Sequence, residues 1–120
     1  MDSNQKPNIL LEKADRFAWE IYRITKNFPK EEIFGSCSQI RRAALSVPLN
    51  IVEGFARYSV GEHRRFLEIA YGSLKEAKYL LYFSQRERYI SINDYEKISG
   101  LGEEVAKTLW TKIQTLKQRK

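Results

Sequence analysis

Apolar residues recur at three- and four-residue steps through four stretches of the chain, and the segments between them are short. In the first, Leu11, Ala14, Phe17, Ala18, Ile21 and Ile24 keep a 3.6-residue period, with Trp19 and Tyr22 broadening the apolar side. This predicts a helix from Ile9 or Leu10 to about Asn27. Phe28-Pro29 ends it, because the residue before a proline is pushed away from helical angles. Pro29 can open a short helical turn through Glu32, and Phe28, Ile33 and Phe34 are expected to plug this connection against the core. The second stretch, Ile40, Ala43, Ala44, Val47 and Ile51, predicts a helix from Gly35-Ser36 to about Arg57, capped by Ser36 or Ser38. Pro48 falls inside it and removes the bond to the Ala44 carbonyl. The apolar and polar periods stay in phase across Pro48, so the expectation is one helix bent near that residue. Gly54 is a second soft point or a place for close helix contact.

Ser59 and Glu62 form a capping-box pattern that starts a third helix, Val60 to Arg86. Phe66, Leu67, Ala70, Leu74, Ala77 and Leu81 mark its buried face, and Ile69, Leu80 and Phe83 widen it. Gly72-Ser73 suggests a close crossing, with the Ser73 hydroxyl near a polar neighbour. Tyr89 and Ile90 are expected to be buried in the next connection. Asn93 followed by Glu96 resembles a further capped start, and Ile98, Leu101, Val105, Leu109, Ile113 and Leu116 carry the fourth helix to about Lys117. Trp110 flanks that stripe, and Gly100 and Gly102 allow a two-piece helix. Four amphipathic helices with short connections predict an all-α, antiparallel up-down four-helix bundle over residues 9–118. A disordered lead over 1–8 and a frayed tail over 119–120 complete the expected organisation.

Beside the apolar series of the second helix lies another: Arg42, Ser46, Asn50, Glu53 and Arg57, at steps of four, four, three and four. These side chains share one helical stripe. Glu53 and Arg57 are spaced for a charge-assisted pair, and Asn50 can extend it. The plainer reading is a polar network that fixes helix or subunit packing; the sharper one is a groove for a ligand or nucleic acid. A second set is basic: Arg41, Arg42, Arg57, His63, Arg64 and Arg65. The turn between the second and third helices can gather Arg57, Arg64 and Arg65 into one patch beside Tyr58, a ring suited to stacking on an unpaired base. Against this stands an ordinary solvated basic end, with arginines folded onto Glu62 and Glu68. Lys112, Lys117, Arg119 and Lys120 add nonspecific positive charge near the C-terminus.

Composition narrows the function classes. The chain has 120 residues, enough for one domain with a real core. Lys and Arg outnumber Asp and Glu by 21 to 15, a net charge of +6 that favours acidic partners. One Cys and one His exclude an intrachain disulfide and a Cys/His zinc site within one subunit. Cysteine usage fits a reducing cytosol, so a cytoplasmic location is expected. No apolar run approaches the roughly 20 residues of a membrane span. Walker, Rossmann and nucleophile-elbow motifs are absent, as are the paired Glu-x-x-His motifs of a di-iron bundle. The expectation is a non-enzyme without cofactor or metal.

The order FPKEE, SQIRRAALSVPLNIVEGFAR and EHRRFLEIAYGSLKEAKYLL resembles the bacterial four-helix-bundle family encoded by intervening sequences of 23S ribosomal RNA genes. The resemblance covers about Phe17 to Tyr95. It rests on Phe28, Pro29 and Glu32; on Gln39, Arg41, Arg42, Ala43, Ser46, Pro48, Asn50, Ile51, Glu53, Gly54 and Arg57; and on Phe66, Leu67, Ala70, Gly72, Ser73, Leu74 and Glu76. Two departures are Val52, where the family often has Ala, and Ala77-Lys78 in place of Leu-Glu. The resemblance implies a ring-like homopentamer and adds Glu76 to the polar set. The chain is also similar to accessory proteins of diversity-generating retroelements, which work beside a reverse transcriptase with nucleic acid. The resulting expectation is a homo-oligomeric bundle binding structured RNA or DNA through Arg57, Tyr58, Arg64, Arg65, Lys117 and Arg119. The competing expectation is a structural or protein-interaction oligomer that binds no nucleic acid.

Overall fold

The computed structural model describes residues 8–119. The expected lead, apart from Asn8, and the terminal Lys120 lie outside the described residues. Four α-helices follow in order: α1 (Ile9–Thr25), α2 (Ser36–Phe55), α3 (Val60–Arg86) and α4 (Ile92–Lys117). A 3-10 turn at Lys30–Glu32 follows Pro29, as Pro29 predicts. Helices adjacent in the chain pack together, and α4 closes back onto α1. This is the up-down four-helix bundle. Its long dimension is 47 Å, close to the roughly 40 Å that a 27-residue helix such as α3 spans.

The helical periods translate directly into the core. Phe17 and Ile21 from α1 meet Ile40, Val47 and Ile51 from α2, Leu67, Leu74 and Leu81 from α3, and Ile98, Val105 and Leu109 from α4, all fully buried. α2 runs through Pro48 without a break. α4 likewise runs unbroken through its glycines. At Gly102 the reason is packing: a Cβ there would lie 3.1 Å from Cε1 of Phe17 and 3.3 Å from Cγ of Lys78. The glycine therefore brings α4 close to both α1 and α3.

Caps set the helix starts. Asn8 Oδ1 accepts from Leu11 N at 3.0 Å, and Ser59 Oγ accepts from Glu62 N at 3.0 Å. Two expectations about starts are corrected. α2 begins after Gly35 without a side-chain cap, and Ser36 Oγ instead donates to Glu32 Oε1 at 2.8 Å. α4 is capped by Ser91, which accepts from Asp94 N at 3.1 Å, so the helix starts ahead of Asn93. α3 ends at Arg86, and Arg88 just beyond it adopts a left-handed φ of 64°. Tyr89 N then reaches back to Ser84 O at 2.8 Å, the six-residue closure of a Schellman end.

The connections depart furthest from expectation. Phe28 is buried and packs on the half-buried Tyr89, with ring centroids 5.3 Å apart. Ile33 and Phe34 do not plug the core; Phe34 is 95% exposed. Phe66 and Ile90 are half-buried. Gly72 marks no close crossing, since a Cβ there would meet nothing within 4 Å. Between α1 and α4 the structure adds a buried carboxylate that the apolar pattern hides. Glu20 Oε2 accepts from Arg23 Nε at 2.7 Å and Oε1 accepts from Lys97 Nζ at 3.3 Å, while Arg23 Nη2 reaches Asp94 at 2.9 Å. Burial alone would push the Glu20 carboxyl up. The hydrogen bonds and charges of Arg23 and Lys97 outweigh it and hold the group below its ordinary value.

Candidate nucleic-acid interface

The polar stripe of α2 divides into two parts. Asn50 Nδ2 donates to Ser46 O at 2.8 Å and to Ser46 Oγ at 2.9 Å, and Ser46 Oγ shares a 2.8 Å hydrogen bond with Ser73 Oγ. This half-buried trio ties α2 to α3, with Ser73 beside a polar neighbour as expected. Glu53 and Arg57 form a separate 2.8 Å pair at the surface. Arg42 and Glu76 are exposed and bracket a polar groove of about 480 Å³ over the serine pair. They form no ion pair among the described residues. The stripe is thus a short interhelical network with a charged pair beyond it.

The end of the bundle at the α2–α3 connection is basic and aromatic. The last turn of α2 closes through Ala56 N to Glu53 O and Arg57 N to Gly54 O, both 3.2 Å. Gly54 lets the first turn of α3 approach: a Cβ there would lie 3.0 Å from Cδ2 of His63 and 3.3 Å from its carbonyl oxygen. His63 consequently packs against Phe55 with its ring tilted, centroids 4.8 Å apart and planes at 57°. On α3 the outer side of Phe66 receives two guanidiniums, Arg57 at 4.8 Å and Arg65 at 5.8 Å from the ring centroid. Tyr58 at the tip of the turn is fully exposed. Arg64 Nε is 3.8 Å from Glu68 Oε1, too long for a hydrogen bond, and is a buried donor without a partner.

The antiparallel path brings the C-terminal part of α4 to the same end. Lys112 Nζ lies 6.0 Å from the Phe55 centroid. His63 is held below its ordinary pKa first by burial, then by the charges of Lys112 and Arg119. Its Nε2 is buried without a hydrogen-bond partner. Lys117 is exposed on the last turn of α4, and no described contact ties it to this cluster. Around this end Arg57, Arg64, Arg65, Lys112 and Arg119 outnumber Glu53, Glu62 and Glu68, so the local balance is positive.

Arginine over an aromatic ring presents a flat, charged surface with free N–H groups at its edge. Those groups suit phosphate oxygens, and the planes suit bases. The sequence places Arg57, Arg64, Arg65 and Tyr58 in this turn. It does not reveal Phe55 and Phe66 as their platform, because a contact across a chain reversal has no helical period. The adjacency of Arg65 and Phe66 is the only local hint. Among the described residues no three His, Cys, Asp or Glu side chains gather as a metal site.

The family model described as 23S rRNA-intervening sequence protein matches residues 6–111. No curated protein matches the chain. Among solved structures, a protein with unknown function from the S23 ribosomal protein family of Bacteroides thetaiotaomicron VPI-5482, a crystal structure at 1.70 Å, is 30% identical. The match covers 89% of this chain and 96% of that one, with a TM-score of 0.83.

Proposed function

The chain belongs to the 23S rRNA-intervening sequence protein family, and on that premise we propose a non-enzymatic, self-associating helical bundle that binds structured nucleic acid, RNA foremost. The observation that carries this reading is the pair of guanidiniums, Arg57 and Arg65, over Phe66 beside the fully exposed Tyr58. Arg57 and Arg65 bind backbone phosphates, and Tyr58 stacks on an unpaired base, an interaction worth about 1–3 kcal/mol. Lys112 and Arg119 extend the positive charge, which adds to the effect of burial in lowering the His63 pKa. The subunit charge of +6 acts in the same sense. Self-association multiplies one modest patch by symmetry and raises avidity.

The competing reading, a structural or protein-interaction oligomer without nucleic acid, draws on a different face. Leu45, Leu49 and Val52 of α2 are exposed and line, with Leu11 and Pro48, a shallow apolar groove against α1. No described helix is long and apolar enough to cross a membrane. The two readings separate by fluorescence anisotropy of nuclease-treated protein with a labelled RNA hairpin and a DNA duplex. Arg57→Ala with Arg65→Ala should weaken binding about tenfold or more, with the elution volume unchanged. Full affinity in that double variant would overturn the patch, and absence of binding at low salt would favour the protein-only reading.

A further inference from the structure

A further recess lies toward the start of α2, roughly 22–30 Å from Arg57 along that helix. It has a volume of about 570 Å³ and is formed by the end of α1, the start of α2 and the connection between them. That size falls in the range of small-ligand sites. Four cations line it, Lys26, Lys30, Arg41 and Arg42, and no carboxylate does. Glu32, in the same connection, is engaged by Ser36 Oγ at 2.8 Å.

The cations differ in state. Arg41 is fixed: Nε donates to Thr25 Oγ1 at 2.6 Å, Nη2 donates to Tyr22 O at 3.3 Å, and its guanidinium covers the Tyr22 ring at 4.7 Å. It presents a held, planar, cationic wall. Lys26, Lys30 and Arg42 are exposed and form no ion pair among the described residues. At the rim, Phe34 is 95% exposed and makes none of the core contacts its size would suggest. The recess therefore offers exposed cations without ion-pair partners for an anionic group, and two flat surfaces, the Arg41 guanidinium and the Phe34 ring, for a planar one.

We infer that this recess binds a nucleoside phosphate, its base between Phe34 and Arg41 and its phosphate on Lys26, Lys30 and Arg42. Arginine and aromatic planes stack bases without regard to sequence, and ammonium and guanidinium groups take the phosphate. The site is separate from the Arg57 patch and stands without it. The same chemistry has two sources, a free nucleotide or the 5′-phosphorylated end of an RNA strand.

Amide shifts of the folded protein at low salt test this with AMP, adenosine, inorganic phosphate and a short 5′-phosphorylated oligoribonucleotide. AMP should give saturable shifts at Thr25, Cys37, Ser38 and Arg41, with adenosine and inorganic phosphate each about tenfold weaker or more. Lys26→Ala with Lys30→Ala should weaken AMP about tenfold, and Phe34→Ala several-fold. Arg57→Ala with Arg65→Ala should leave it unchanged. Read at the recess amides in the Arg57→Ala with Arg65→Ala background, an oligonucleotide tighter than AMP and dependent on its 5′-phosphate supports the strand-end source, and equal or weaker binding supports the free nucleotide. Inorganic phosphate matching AMP, AMP binding insensitive to the lysine pair, or no saturable shift at millimolar AMP would overturn the assignment.

Discussion

Gly54 and Gly72 pose opposite problems within the same helix pair. At Gly54 a methyl group would press into the ring and carbonyl of His63 at 3.0 and 3.3 Å. At Gly72 it would meet open space. Gly54→Ala should therefore destabilise the protein by about 1–3 kcal/mol through overpacking, and Gly72→Ala should stabilise it by about 1 kcal/mol through helix propensity. Urea denaturation of the two variants checks both; equal shifts would contradict the close approach at Gly54. The sequence treats both glycines as candidates for close contact. Only the side on which each one falls separates them, and Gly72 falls on the exposed side. Phe34 illustrates the same limit. A large aromatic in a short connection suggests a plug, but the tip of that connection turns outward, and no period within it records the direction. Arg57 and Phe66 are nine positions apart across a reversal, so their stacking is likewise not written in any local spacing.

At the scale of elements the sequence is more legible, because each helix repeats its signal several times. The core positions of all four helices follow from the three-and-four spacing, and the passage of α2 through Pro48 follows from the continued phase of its apolar residues. The start of α4 is less determined: Ser91 and Asn93 each have an acid three residues on, and Ser91 takes the cap. The α1–α4 contact holds the least expected feature, the Glu20 carboxylate between Arg23 and Lys97. Its folded pKa is depressed, so its stabilising contribution is complete above the ordinary carboxyl value of 4.5 and is lost as the pH falls through the lower folded value. Glu20→Gln should cost about 1 kcal/mol at neutral pH, a modest figure because Arg23 and Lys97 are largely solvated and screened. Its stability should also fall less steeply in acid. Urea melts at neutral pH and at about pH 3.5 test this; an unchanged acid dependence would remove Glu20 from the account.

The whole molecule combines a basic end, a nucleotide-sized recess at the other end of α2, and an apolar face on α1 and α2. Leu49 and Val52, each more than half exposed, form the face on which the proposed self-association would rest. Leu49→Lys with Val52→Lys should weaken assembly by about 3 kcal/mol or more, over a hundredfold in association. Sedimentation velocity would show smaller species with helix content retained; an unchanged mass would place the subunit contact elsewhere. Nucleic-acid binding of this kind is sensitive to salt. Each phosphate neutralised releases counterions, so log K falls linearly with log salt. An RNA hairpin should give a steep slope with the wild type, and a slope shallower by about 2 with Arg57→Ala and Arg65→Ala, since each removed phosphate contact takes away about one unit. Parallel slopes for the two proteins, or wild-type binding indifferent to salt, would contradict nucleic-acid binding through these arginines.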